Sequence, residues 1–322
     1  MTKITIDIDT GLADRELIRT VRSAAITGPG QVGVVSTIRM KGATFETVFT
    51  NGLEAVDSTV QIRAIRDKND YKHGNTNSIQ NWIKKLSLTC DLIVTVGGAI
   101  AYEAAVTASS KPFISVLGAI PKQPYPTQFR GGVSLSSLDM YNGAVQTLMS
   151  APFSLRNAQI CFLYNPNNDF SDDPNSLFAD NELNYWENTV NNANVTPAGP
   201  NNQGNNDDAM FAPAIQALAA TQLKGIVVSA DPFFQDKKES LITAVNTYWL
   251  NDNTRFICYP SFAYKNVGGT RPRTAQSVIY GPNLEEAYFL AGQLAGTYVN
   301  SLKGGTDLPP VFVRVSGTQL IL

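Results

Sequence analysis

The sequence predicts an α/β protein made of two doubly wound parallel-sheet lobes joined by a hinge. Three observations carry that expectation. Short apolar runs alternate with amphipathic stretches in a regular βαβα order, which implies a parallel sheet with helices on both sides. The pattern restarts near residue 139 and gives two halves of similar size. The 322 residues are long for a single compact core and comfortable for two.

The elements follow in order. Ile4, Ile6 and Ile8 alternate with polar neighbours, as a short half-buried strand does, and Leu17, Ile18 and Val21 suggest one amphipathic helix. Gly28-Pro29-Gly30 breaks this extension, residues 1–30, from the rest; its role is open between an extra edge element and a dimer contact. VGVVSTI, ahead of Arg39, and VQIRAI at 60–65 read as strands. Ile79, Trp82, Ile83 and Leu86 make a helix face with Ser78 as its N-cap. LIVTV at 92–96 is a strand apolar on both faces, AIAYEAAVTAS a helix and PFISVLG a strand. In the second half, a helix around Ala144–Met149 leads to the strand QICFLY at 159–164. An Asn-dense stretch from Asn165 to Asn206 holds a helix near Trp186, and 196–208 reads as a surface loop. A helix at Phe211–Ala220 and the strand GIVVSA follow. The last helix carries an apolar stripe at Leu284, Ala287, Tyr288, Ala291, Leu294, Ala295, Tyr298, Val299 and Leu302, started by an Asn283–Glu286 capping box and closed by Gly304-Gly305.

Composition excludes several classes. Hydrophobic residues make up 43% and charged ones only 16%, a globular balance. The net charge of −2 and the absence of a basic stripe argue against nucleic acid as a partner. No apolar run approaches the roughly 20 residues that span a bilayer, so contact with a membrane is peripheral at most. Cys90, Cys161 and Cys258 lie far apart without a CxxC and are expected to be buried free thiols. The only histidine, His73, stands in a polar stretch, which leaves no multi-His metal site and no Ser-His-Asp triad. GxSxG, HExxH and GxxxxGK[ST] are missing. Asp169 to Asn175 alternates oxygen ligands but lacks the Gly and the twelfth-position Glu of a calcium loop, so it reads as a polar loop. No cofactor, no metal and no catalysis are expected.

The chemistry-bearing positions are strand ends, because open α/β sheets bind ligands outside the carboxyl ends of their strands. Gly97, Gly98 and Ala99 follow a buried strand and open a helix. Two glycines let a ligand approach the backbone, and first-turn N–H groups attract a carboxylate; a tight turn explains the same residues. Ser36, Thr37, Tyr164 with Asn165, Asn167, and Tyr280 occupy other strand ends. Asp231-Pro232 fits N-cap and N1 of the helix carrying Leu241, Ile242, Val245, Tyr248 and Trp249.

GIVVSADPFF from Gly225, RFICYP from Arg255 and SVIYGPNLEEAYFLAGQLAGTYVNSLKGGTDLPP from Ser277 resemble the substrate-binding proteins of bacterial ABC importers, of the aromatic and branched amino-acid type. The resemblance spans roughly residues 31–310. It implies a type I periplasmic-binding-protein fold, with lobe one at 31–136 and 271–306 and lobe two at 137–270 and 307–322. Gly131-Gly132-Val133-Ser134 resembles the crossover between lobes. Gly98 and Ala99 stand in place of a Thr-Pro, and Gly118-Ala119-Ile120-Pro121 lacks an Asp-Pro. An amino acid would need Gly97–Ala99 for its carboxylate, Asp231 for its amine and Ile120 with Phe233 as an apolar pocket.

The function so implied is non-catalytic binding of a small molecule in an interlobe cleft, an amino acid or related metabolite, with hinge closure and an ABC permease as partner. MTKITIDIDTGLADRELIRTVR lacks the apolar core of a secretory signal. The location is therefore extracytoplasmic if a signal has been removed, and cytoplasmic otherwise. A cytoplasmic ligand sensor on the same fold is the first alternative, and a two-lobe hydrolase using paired carboxylates the second.

Overall fold

The computed structural model describes residues 28–37, 43–67, 77–118, 121, 123–135, 137–164, 191–194, 207–229, 232–260, 264, 271–315 and 317–321. The protein is a mixed α/β chain with two parallel-based sheets, each the centre of its own compact unit. Both units are discontinuous in sequence. Among the described residues, Leu284–Val315 belongs with the chain before Ser136, and Ser136–Asn283 belongs with the strand after Ser316.

Unit one contains β1 (Gln31–Ser36), α1 (Ala43–Glu54), β2 (Gln61–Asp67), α2 (Asn77–Leu86), β3 (Leu92–Val96), α3 (Ala99–Ala108), β4 (Phe113–Gly118) and β5 (Phe129–Leu135). Unit two contains α4 (Ser137–Met149), β6 (Ile160–Tyr164), β7 (Asn191–Asn194), α5 (Phe211–Ala219), β8 (Gly225–Val228), α6 (Pro232–Asp236), α7 (Lys238–Ala244), β9 (Phe256–Tyr259) and β10 (Ser277–Pro282). The chain then returns to unit one as α8 (Leu284–Lys303) and β11 (Val311–Val315), and ends in unit two as β12 (Gly317–Ile321).

The first sheet runs β11-β5-β4-β3-β1-β2 and is parallel throughout. All five residues of β3 are buried, as the unbroken apolar run requires of a strand covered on both faces. The crossovers from β1 to β2 and from β2 to β3 run in opposite directions, so right-handedness puts α1 and α2 on opposite faces. α8 packs on α1, where Gly52 and Gly292 face each other's helix backbone. A Cβ at Gly52 would stand 2.1 Å from the Phe289 carbonyl oxygen, and one at Gly292 2.2 Å from that of Phe49. Phe45 flanks the crossing, stacked on Phe49 and edge-on to Tyr288. Arg130 on β5 clamps Asp307 with two bonds of 2.8 and 2.6 Å, fixing the approach to β11.

The second sheet runs β12-β10-β9-β8-β6-β7, with β12 antiparallel to β10 and the other pairs parallel. α4 covers one face through Ala144, Val145 and Leu148. The other face packs on α5, α6, α7 and the π-turn Val245–Trp249, with Trp249 fully buried. Its indole Nε1–H donates to the Phe256 carbonyl at 3.0 Å, and the Arg255 guanidinium lies 4.8 Å from the ring centroid.

Several expectations change. The chain crosses between units after Leu135, Asn283 and Val315. Residues 271–283 therefore lie with unit two and 307–315 with unit one, the reverse of the sequence assignment. Both β10 and β11 are short apolar runs, and a run of that kind does not announce which sheet it joins. Gly131 to Ser134 lie inside β5, where a Cβ on Gly132 would meet the Ser115 carbonyl at 1.7 Å; the glycines let strands approach and form no crossover. Ser78 is inside α2, which starts at Asn77. The helix expected after Pro232 is broken into α6, α7 and the π-turn. The three cysteines are buried free thiols, and burial pushes Cys161 and Cys258 up to about 12. His73, the oxygen-rich loop from Asp169 and the helix near Trp186 lie outside the described residues.

One surface network has a consequence for acid stability. Lys303 at the end of α8 donates to Asp57 Oδ2 at 2.9 Å and to Thr59 at 2.7 Å, while Thr59 donates to Asp57 Oδ1 through its N–H and its hydroxyl. The Lys303 hydrogen bond, then those from Thr59, hold the Asp57 carboxyl at about 2. A lowered folded-state pKa contributes stability above the ordinary carboxylate value, and that contribution is lost as pH falls through the folded value. Asp57→Asn is therefore expected to cost about 1 kcal/mol at pH 7, the upper range for a pair near solvent. It is also expected to flatten the stability loss between pH 4 and 2, as urea titrations across that window will show.

Candidate functional site

In unit one the carboxyl ends of four adjacent strands carry small neutral residues. Ser36 and Thr37 end β1, Gly97 and Gly98 follow β3, Gly118 ends β4, and Ser134 lies in register with it on β5. Thr37 fixes the first two ends together: its N–H donates to the Val96 carbonyl at 2.9 Å and its Oγ1 to that of Gly97 at 2.9 Å. The Thr37 hydroxyl proton is thus committed, and its oxygen retains acceptor capacity. Gly97 has φ 114°, and Gly98 has φ 78° and ψ −149°. The Gly98 conformation is essentially restricted to glycine. The turn delivers Gly98 as the N-cap of α3 with no side chain capping the helix. Ser134 is 4% exposed and its Oγ has no hydrogen-bond partner, an uncompensated group costing about 1–3 kcal/mol until something bonds to it.

In unit two the strand ends carry tyrosines. Tyr164 closes β6, half-buried and stacked on Phe162. Tyr259 closes β9, fully buried, with a hydroxyl that has no partner and a pKa raised by burial. Tyr264 stacks on it at 4.7 Å and donates its own hydroxyl to the Phe234 carbonyl at 2.7 Å. Tyr280 lies on β10 with its ring against α4, where only Gly143 leaves room; a Cβ there would be 2.0 Å from Tyr280 Cζ. A recess of about 210 Å3, its open mouth included, lies at the ends of β8, β9 and β10 and is lined by Ala144, Val228, Pro260 and Tyr280 among others. Its enclosed space is only about 10 Å3, room for about one water, so alone it is no ligand pocket.

Of the residues chosen from sequence, Ser36, Thr37, Gly97, Gly98 and Ala99 come together in unit one, and Tyr164 and Tyr280 stand at strand ends or on the last parallel strand of unit two. Phe233 does not join them. It is fully buried, stacked on Phe211 at 5.4 Å in the core of unit two, because α6 turns it inward directly after the strand end. Ile120, Asn165, Asn167 and Asp231 lie outside the described residues. Ser134, Tyr259 and Tyr264 were not singled out from sequence; the available signal was their place at strand ends, in GGVS and just before or after Pro260. Among the described residues no cluster of His, Cys, Asp and Glu could hold a metal, and no helix is long and apolar enough to cross a membrane.

No protein-family model matches the chain, and no curated protein matches it. Solved structures do. The ABC domain from Streptococcus pneumoniae in complex with L-Trp superposes with a TM-score of 0.60 at 14% identity, covering 90% of this chain and 91% of that one. The chain has the type I periplasmic-binding-protein-like fold. A carbohydrate transporter solute-binding protein from Agrobacterium radiobacter in complex with D-arabinose gives 0.58 at 9% identity, over 92% and 95% of the two chains. A LacI family transcriptional regulator from Arthrobacter gives 0.56 at 13%, over 90% and 97%. Solute-binding proteins and regulators thus share this binding-protein fold with the present chain.

Proposed function

We propose that this binding-protein-like chain binds a small molecule at the carboxyl ends of its parallel strands and performs no reaction on it. The observation that carries this reading is the turn into α3. Two glycines at positive φ present the first-turn N–H groups of a helix that no side chain caps, an arrangement that suits an anionic group. The buried hydroxyl of Ser134 without a partner supports a ligand with polar atoms.

An amino acid or related metabolite fits best: the uncapped turn into α3 suits its carboxylate, and the family resemblance implies Asp231 for its amine. The L-Trp complex of the streptococcal protein agrees with this, and the D-arabinose complex of the transporter protein is the reason to test sugars beside it. The biological role proposed is the substrate-binding component of an ABC importer. The regulator of the same fold favours a ligand sensor as the second reading.

A thermal-shift screen against the twenty amino acids and a panel of aldoses tests this. A ligand at a hundred times its Kd stabilises the folded state by about 2.7 kcal/mol. A shift confined to amino acids is expected; a shift confined to sugars would overturn the ligand class, and none from either panel would overturn both. Gly98→Val is expected to lose the shift and to cost about 1–3 kcal/mol from backbone strain. Ser134→Ala is expected to keep the fold and weaken binding several-fold.

A further inference from the structure

α4 carries a glycine at its centre, Gly143, with six residues of the helix on either side. Its φ is not in the left-handed region, so no turn requires it, and glycine inside a helix weakens that helix relative to alanine. What the position supplies is room. A Cβ there would stand 2.0 Å from Tyr280 Cζ, 2.1 Å from the Tyr280 hydroxyl oxygen and 2.4 Å from Cε1, so the three nearest atoms all belong to one ring. Val278 and Tyr280, two apart on β10, point to the face that α4 covers. Val278 and Ala144 are buried there, while Tyr280 is half-buried. The Tyr280 ring forms one wall of the recess at the ends of β8, β9 and β10, opposite no charged side chain, with Ala144, Val228 and Pro260 among the other walls.

We propose that Gly143 positions Tyr280 as a size gate at the strand ends of unit two, where an apolar end of the ligand is received. This rests on the proposed binding of a small molecule at the strand ends. Carbon atoms in contact sit about 3.5–4.0 Å apart, so an alanine at 143 must drive the tip of the ring back by about 1.5 Å or more. The tip of a side chain yields more readily than backbone. Its inner side is filled by Ala144 and Val278, so the ring swings towards the open mouth of the recess and takes space that a ligand would use. With glycine at 143 the ring stays back against α4 and the mouth stays open. Gly143 is thus a positioning residue that touches no ligand and acts through Tyr280.

A double-mutant cycle and a size-graded binding series test the gate. In urea unfolding, Gly143→Ala is expected to raise the midpoint when Tyr280 is also changed to Ala, as helix propensity requires, and to lower it in the native background. Equal effects in the two backgrounds would overturn the positioning. Thermal-shift titrations use the twenty amino acids and the aldose panel. Gly143→Ala is expected to weaken the largest of the compounds that bind the native protein by about fivefold or more and to leave the smallest nearly unchanged. Tyr280→Ala is expected to favour the largest, and Gly143→Ala with Tyr280→Ala to match Tyr280→Ala alone. Losses independent of compound size, with the cycle coupled, would overturn the gate and leave a purely structural contact. No shift of the native protein with any compound would overturn the ligand reading and the gate with it, while the cycle still decides the contact between Gly143 and Tyr280.

Discussion

Gly292→Leu is expected to unfold unit one under conditions where the native protein is stable. The position has no slack: a Cβ would meet the Phe49 carbonyl oxygen at 2.2 Å, Leu53 N at 2.9 Å and Gly52 Cα at 3.0 Å, all backbone atoms. A flexible side chain could swing away, but α1 must move bodily. Overpacking a core site costs about 1–3 kcal/mol where neighbours relax. Here the relaxation separates α8 from α1 and opens the layer over β1, β3 and β4, so Leu should exceed that range and Ala should fall inside it. Gly304→Ala is the control, since its nearest contact is at 3.4 Å, and it should change stability by less than about 0.5 kcal/mol. Urea unfolding followed by far-UV circular dichroism reads all three.

Trp249→Ala is expected to be the most damaging truncation in unit two. The indole is fully buried between the π-turn and β9. Removing it leaves a large cavity, takes one hydrogen bond from the Phe256 carbonyl and leaves Arg255 without its aromatic surface. Truncations of this size cost about 3–5 kcal/mol. Trp249→Phe keeps most of the volume and forfeits the hydrogen bond, so it should cost about 1–3 kcal/mol. Equal losses for the two variants would show that the hydrogen bond, and not the volume, supports this region.

The fold was legible where one chemical signal had one structural meaning. LIVTV could only be a doubly covered strand, and the stripe from Leu284 to Leu302 could only be a long helix face; both appear where expected. What was hidden is pairing. β10 and β11 have similar apolar wording yet join different sheets, because strand partners are chosen by loop reach and twist across the whole chain. Gly292 and Gly296 were absent from the apolar stripe although both are buried at the helix crossing, since hydrophobicity does not register a residue valued for having no side chain. In the candidate site, Gly97-Gly98 was readable from the strand before it and the helix after it. Phe233 was misread because an aromatic just past a strand end has two directions open to it, and one residue of helix decides. Ser134 and Tyr259 stand out only when burial reveals hydroxyls without partners, which no linear pattern encodes.

β11 and β12 are near neighbours in the chain yet complete different sheets. β11 pairs with β5 from Val311 opposite Gly131 onward, and β12 runs back along β10 with Ile321 opposite Val278. Each sheet takes a strand from residues 311–321, so neither unit is complete until that short stretch has been made. Until then β5 and β10 are bare edges, one in each half of the nascent chain, and bare edges recruit the wrong neighbours. A message cut short after Lys303 would yield not one good domain and one bad one but two unfinished sheets, a product for chaperones and proteases to clear.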